Sequence, residues 1–446
     1  MSDATDWFAL HHWRRRAALW GGAILVGLSA IAFAAAANAC YAGFLRILHA
    51  GRYWPLLLTP LTFALLSWLS RGRLRATRGS GIPQTISALQ VDDETFRARL
   101  LSLRVAAGKI GLTLLALAGG ASVGREGPTV HVGASLMYSI GRRLGFTEAQ
   151  VASRFILAGG AAGIAAAFNT PLAGIVFAIE EMANAFEHRM SGVVLTAVII
   201  AGVVSLGLLG DYAYFGKVGV VLAPLQGWIA VLLCGVACGL AGGVFSRLIL
   251  LHGLSPLAWV ARCRERAPIL FAAACGLVLA LVGLSSGDAV YGTGYEQAHA
   301  ILQGTANSPG GWFGLAKFGA NVVSYWAGIP GGIFSPALAV GAGIGDAIAT
   351  LMPSAPSPAV VLLGMAAYLA GVTQAPLTSA IISMELTDNQ AMVIPVLAVC
   401  LLARFASSLV CHMPVYKALA ERIVAESAPL PRHEGVAEVA SAARLR

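Results

Sequence analysis

Charged positions leave long gaps in this chain. Residues 17–45, 218–246, 268–287 and 347–384 contain no Asp, Glu, Lys or Arg. Each run reaches the roughly 20 residues that an α-helix needs to cross about 30 Å of hydrocarbon, so each predicts a spanning helix. The alternating pattern of a half-buried strand is absent, and inside lipid every backbone polar group needs an internal partner. A bundle of membrane helices follows. Other apolar pieces, residues 81–89 and 127–140, are too short to cross, and each is opened by Gly and Pro. Broken helices of this kind persist at membrane depth only around a polar cavity, which is where transporters place their substrate.

Composition sharpens the picture. Only 11% of residues are charged and 57% are hydrophobic, whereas a soluble domain carries about a quarter charged residues. The first apolar run follows Arg14, Arg15 and Arg16, but it is too long for a cleaved leader and many spans come after it, so it reads as a retained first helix. The net charge of +9 would suggest nucleic acid in a soluble protein. Here the arginines gather beside the apolar runs, at Arg14–Arg16, at Arg71, Arg73, Arg75 and Arg78, at Arg142 and Arg143, and at Arg262, Arg264 and Arg266. That is the positive-inside pattern; it predicts cytoplasmic loops and argues against a nucleic-acid partner. Of the cysteines, Cys234 and Cys238 lie within one apolar run without His or carboxylate neighbours, so small buried side chains, not metal ligands, are expected. An intramembrane enzyme would need a nucleophile with a base, or a metal cluster. His131 and His299 stand alone, and neither HExxH nor GxSxG occurs. No catalytic residue, metal or cofactor is expected.

The chain repeats itself. Gly124–Ala134 aligns with Gly332–Ala342 at an offset of 208, and Gly159–Glu180 aligns with Gly364–Glu385 at an offset of 205. The matches include Pro128/Pro336, Pro171/Pro376 and Glu180/Glu385. Two blocks in order at nearly one spacing predict two homologous halves with the ligand site where their broken helices meet. The expected organisation is a segment 1–16, a membrane domain 17–425 in halves of about 17–212 and 218–425, and a tail 426–446.

Three short motifs share one design: Gly79-Ser80-Gly81-Ile82-Pro83, Gly124-Arg125-Glu126-Gly127-Pro128 and Gly332-Ile333-Phe334-Ser335-Pro336. Pro suits the first helical position, and Gly before it lets the backbone bend and a ligand approach. Each motif therefore offers unpaired N–H groups and the positive end of a helix dipole. Several such ends converging in a dry interior bind an anion without a full positive charge, and so without holding it too tightly to release. Glu126 is a carboxylate inside a membrane domain, which marks function by default. At a helix N-terminus it competes with an anion for the same dipole, and protonation would remove its claim.

These motifs resemble, in order and across nearly the whole membrane domain, the three signatures of the CLC family of chloride channels and chloride/proton antiporters. The resemblance implies an all-α integral membrane fold: two inverted-topology repeats with broken and tilted helices, in a homodimer with one pore per subunit. It implies chloride held by the Ser80 hydroxyl beside Gly81, by backbone amides of Ile333 and Phe334, and by the hydroxyl of Tyr416, with Ser at position 80 favouring chloride over nitrate. Glu126 matches the family's external gating glutamate, flanked by Arg125 and Gly127. Glu181, the second of the Glu180-Glu181 pair, matches the glutamate that passes protons in exchangers and that channels usually lack. It favours antiport over the alternative, a passive chloride channel. Glu180 and Glu385 are expected to support helix packing or a water path. The resemblance also implies a multi-pass protein of the bacterial inner membrane, its termini cytoplasmic and its partners chloride, protons and lipid. Two stretches depart from the family. Residues 84–90 lack the acids that bacterial exchangers carry there, and the approach to the third motif reads Trp326-Ala327-Gly328-Ile329-Pro330.

Overall fold

The computed structural model describes residues 10–183, 188–210, 213–251, 257–305 and 309–427. Much of the expected N-terminal segment and nearly all of the tail lie outside them. The first half comprises α1 (Leu10–Ala50), α2 (Pro55–Leu69), α3 (Ile82–Gln90), α4 (Glu94–Leu100), α5 (Leu103–Ala118), α6 (Glu126–Arg143), α7 (Ala149–Phe168), α8 (Pro171–Phe177) continued by a π-helical turn (Ala178–Ala183), and α9 (His188–Leu209). The second comprises α10 (Pro224–Leu250), α11 (Ala258–Arg266), α12 (Pro268–Ser285), α13 (Tyr295–Gln303), α14 (Phe313–Trp326), α15 (Phe334–Thr350), α16 (Ser357–Thr373), α17 (Pro376–Thr387), α18 (Val393–Val410) and α19 (Val415–Ser427). Among the described residues the only sheet-like pairings are two isolated backbone bridges.

The same neighbours recur in both halves. α6 packs on α7 as α15 packs on α16, and α1 meets α9 as α10 meets α18. Glycine makes the first of these contacts possible. A Cβ on Gly133 would strike the backbone of Gly159 and the reverse, and Gly341 and Gly364 stand in the same relation. α7 and α16 end alike, on Asn169 and Gln374 in the left-handed region at φ 58° and 59°. A proline opens the next helix two residues later in each case.

Two sequence expectations change. The run 347–384 is not one span: Pro353 and Pro356 precede α16, and the left-handed Gln374 and Pro376 follow it, so the run divides among α15, α16 and α17. α6 is longer than its apolar stretch, because the helix already begins at Glu126 and runs on to Arg142 and Arg143, whose charges suit a helix C-terminus. Seven helices are long and apolar enough to cross a membrane among the described residues, while α2, α15 and α16 are apolar but shorter. Cys234 and Cys238 are buried, as read from their surroundings.

Candidate functional site

The three motif tips meet at one point and are stitched together by backbone hydrogen bonds. Gly124 N–H donates to Gly332 O, and Gly332 N–H donates to Gly124 O, both at 2.7 Å. These residues are equivalent in the sequence repeat, and their antiparallel pairing places the two halves across a local two-fold axis. The first motif is tied to the third through Gly79 N–H to Ile329 O and Gly331 N–H to Gly79 O, both at 3.1 Å. It also lies against the second, since a Cβ on Gly127 would collide with Ser80 Oγ and one on Gly81 would lie 3.1 Å from Gly127 O. Gly81, at φ 102°, needs its missing side chain twice: for the turn itself and for the approach of His131.

Pro does not sit at the first helical position as expected. The caps are Gly81, Arg125 and Ile333, which puts Pro83 second and Pro128 and Pro336 third. Proline costs nothing anywhere in a first turn, because those N–H groups have no intrahelical acceptor. The shift moves Glu126 and Phe334 into the first turn, so the amides of Phe334 and Ser335 are free of their own helix.

Ser80 is 1% exposed and Tyr416 fully buried, and neither hydroxyl has a hydrogen-bond partner beyond the other. The Tyr416 hydroxyl lies beside that of Ser80, and α19 is tied to α3 by Ser87 Oγ donating to Ala420 O at 3.1 Å. Buried polar groups are nearly always paired, and two hydroxyls side by side with no other partner describe a site for a ligand that accepts hydrogen bonds. Glu126 is fully buried too. Its Oε1 accepts a bond from Ser335 Oγ at 2.6 Å, and Oε2 has no partner. Arg125 points away, donating to Ala34 O at 2.8 Å and Asn38 Oδ1 at 2.7 Å. Ile333 and Phe334 are buried at the tip of α15, and the Phe334 ring packs on Phe168 and Phe177.

The π-helical turn parts its two adjacent carboxylates. Glu181 turns inward and is buried. Glu180 instead takes the N–H groups of Leu377 and Thr378 at 3.2 and 2.6 Å, capping α17. Its repeat partner Glu385 does the same for Leu172 and Ala173 of α8, at 3.1 and 2.7 Å. Of the two expectations for this pair, the contacts support helix packing.

A cavity of about 1240 Å³ reaches Ser80 from one side, and its walls include Arg78, Arg99, Arg104, Arg264 and Tyr325. Glu126 and Tyr416 lie beyond its lining. Gln84, the first residue of the divergent stretch 84–90, is on this wall with its amide bonded to Arg78 O at 2.6 Å, and Ala327 and Gly328 of the divergent approach also line it.

Three features escape a motif-by-motif reading. Ser335 stands inside the third motif, but its contact with Glu126 crosses between the halves. Tyr214, in the connection between the halves, lies within hydrogen-bonding reach of Ser335. Gly292-Thr293-Gly294 repeats the first motif, with Gly294 capping the nine-residue α13 as Gly81 caps the nine-residue α3. A fully buried lysine braces each of these loops: Lys109 donates to Thr77 O and Gly79 O at 2.8 and 2.6 Å, and Lys317 to Val290 O and Gly292 O at 2.8 Å each. The 208-residue spacing of the lysines, equal to that of Gly124 and Gly332, was the available signal.

Residues 62–408 match the voltage gated chloride channel family. The chain belongs to the CLC family. It is 30% identical to the H(+)/Cl(-) exchange transporter ClcA of Salmonella agona (strain SL483) over 399 residues, 85% of this chain and 81% of that one. The CLC fold is equally plain in solved structures. A slow cyanobacterial Cl-/H+ antiporter superposes with a TM-score of 0.78 and 25% identity, over 93% of this chain and 99% of that one. A CLC-type fluoride/proton antiporter superposes with a TM-score of 0.73 and 23% identity, over 90% and 98%. This CLC protein is therefore a multi-pass membrane protein and an anion transporter, not an enzyme.

Proposed function

We propose that this CLC protein exchanges chloride for protons. In this reading a chloride ion accepts hydrogen bonds from Ser80, beside Gly81, and from Tyr416, with the α15 amides at Ile333 and Phe334 supplying the positive end of a helix dipole. The observation that carries it is the pair of buried hydroxyls with no partner beyond each other, with one buried carboxylate, Glu126, toward the junction of the halves and another, Glu181, in the π-helical turn. Glu126 competes with the anion for the same helix ends. Protonation withdraws that competition, so proton and anion occupancy are linked. Glu181 relays the proton to and from the other face, past Tyr416. The arginine-walled cavity gathers anions on the cytoplasmic side, where the positive-inside pattern also puts the termini. A homodimer in the bacterial inner membrane, one pore per subunit, completes the reading. The ClcA relative and the cyanobacterial structure are both chloride/proton exchangers by name, and Ser80 supports chloride as the anion here.

The test is transport by purified protein in liposomes. A chloride gradient alone is expected to drive protons uphill. Glu126→Ala and Glu181→Gln should each abolish that proton movement while chloride flux persists. Chloride flux without proton movement in the wild type would make the protein a passive channel instead, and fluoride outcompeting chloride would reassign the anion.

A further inference from the structure

We propose that Ser335 is a latch on the Glu126 carboxylate, holding the gate in place and slowing its release. The inference rests on the reading of Glu126 as the gate. Three observations carry it. The first is the contact itself, a hydroxyl donating to Glu126 Oε1 at 2.6 Å between two side chains that are 2% and 0% exposed. Hydroxyl-to-carboxylate bonds of this length are charge-assisted and among the stronger hydrogen bonds in proteins. Glu126 must give this bond up before it moves.

The second is the position of Ser335 in the repeat. It is the second-half equivalent of Gly127. At 127 a side chain is forbidden, because its Cβ would collide with Ser80 Oγ, part of the proposed anion site. At 335 a side chain fits, and the one present reaches across the two-fold junction to the acid of the other half. The α15 tip thus offers a specific hydroxyl to Glu126 in addition to its dipole.

The third is what covers the pair. Tyr214, in the segment joining the halves, lies within hydrogen-bonding reach of Ser335. That segment is fixed by Phe215 N–H to Leu386 O at 2.8 Å, Val218 N–H to Thr387 O at 2.9 Å, and Tyr295 Oη to Tyr214 O at 2.9 Å. The ring of Tyr214 also stacks edge-on against Phe168, 5.6 Å between centroids. Ser335 is held between a fixed cover and the carboxylate, so its hydroxyl is a positioned donor and not a mobile one. Ser335 and Tyr214 are positioning residues: they act on transport through Glu126.

The experiment measures chloride turnover and the proton-to-chloride ratio in liposomes for Ser335→Ala, Ser335→Thr, Glu126→Ala and the double variant Ser335→Ala/Glu126→Ala. Ser335→Ala is expected to raise turnover, by up to about tenfold if release of Glu126 limits the cycle, with the ratio unchanged. Ser335→Thr keeps the hydroxyl and should stay close to wild type. Once Glu126 is alanine there is nothing to hold, so the double variant should turn over like Glu126→Ala alone. Turnover that is unchanged or lower in Ser335→Ala overturns the latch, as does an equal change from Ser335→Ala with and without Glu126. If Ser335→Ala does not fold, Ser335→Gly, which installs the residue used at 127, gives the same reading. The two levels fail separately. If Glu126→Ala still moves protons, the gate assignment is wrong; if it does not, but Ser335→Ala is silent, only the latch is wrong.

Discussion

The two halves of this transporter are built from one plan and used for different purposes. Where they agree, the residues hold structure. Gly124 and Gly332 pair across the axis, and Gly133/Gly159 and Gly341/Gly364 bring helices into backbone contact. Glu180 and Glu385 cap each other's partner helices, and Lys109 and Lys317 brace matching loops. Where they disagree, the residues belong to the proposed site. Glu126 corresponds to Phe334, Gly127 to Ser335, and Glu181 to Leu386. The first half carries the ionisable groups, and the second answers with an aromatic, a hydroxyl and an apolar side chain. Symmetry makes the frame, and departures from symmetry make the site.

The largest expected effect comes from breaking the frame where it is tightest. Gly133→Val and Gly341→Val each place carbon atoms in the backbone of the facing helix, and overpacking with no flexible neighbour to yield costs about 3 kcal/mol or more. Thermal unfolding in detergent, followed by size-exclusion chromatography, should show the two variants failing together. A variant that folds normally in one half only would mean that the halves do not share this constraint.

A smaller effect separates frame from site. Lys317→Met removes the bonds to Val290 O and Gly292 O, whereas Lys109→Met removes that to Thr77 O but leaves Gly79 O with the Gly331 N–H; each buried carbonyl left unsatisfied costs about 1–3 kcal/mol. The loss of stability should be about 2 kcal/mol in Lys109→Met and larger in Lys317→Met. Only Lys109 braces Gly79, the residue before Ser80. Chloride binding, measured by calorimetry, should therefore weaken in Lys109→Met and stay unchanged in Lys317→Met. Equal weakening in both would show that the second loop also shapes the anion site.

Much of this arrangement was legible in the sequence, and what was missed has a physical cause. Helices announced themselves because lipid excludes charge, and the motifs because helix tips that meet this closely need Gly and Pro at fixed spacing. The repeat was visible wherever close packing forces Gly or Pro, as at Gly124/Gly332 and Pro171/Pro376. Helix ends were harder. The run 347–384 carries no charge from end to end, yet prolines and the left-handed Gln374 divide it. Cross-half contacts were hidden altogether. Ser335 to Glu126 and Glu180 to Thr378 join residues 209 and 198 positions apart, and no local pattern encodes such a pairing. Adjacent Glu180 and Glu181 look interchangeable until the π-helical turn sends one to a helix end and the other to the interior.

That divergence yields the smallest and most discriminating prediction. Glu180 and Glu385 each bind two first-turn amides of the opposite helix through two carboxylate oxygens. Replacing either by Gln leaves one acceptor oxygen, loses one amide bond and removes a negative charge from a helix N-terminus, together about 1 kcal/mol. The two losses should match, because the contacts are equivalent. Proton coupling should survive in both variants, because Glu181 is untouched, and stability should be unchanged in Glu181→Gln, which caps no helix. If Glu180→Gln lost coupling while Glu385→Gln kept it, equal thermal shifts would still show Glu180 acting as a cap. The unequal transport would show that the first half had given its structural glutamate a second duty, as a proton carrier beside Glu181.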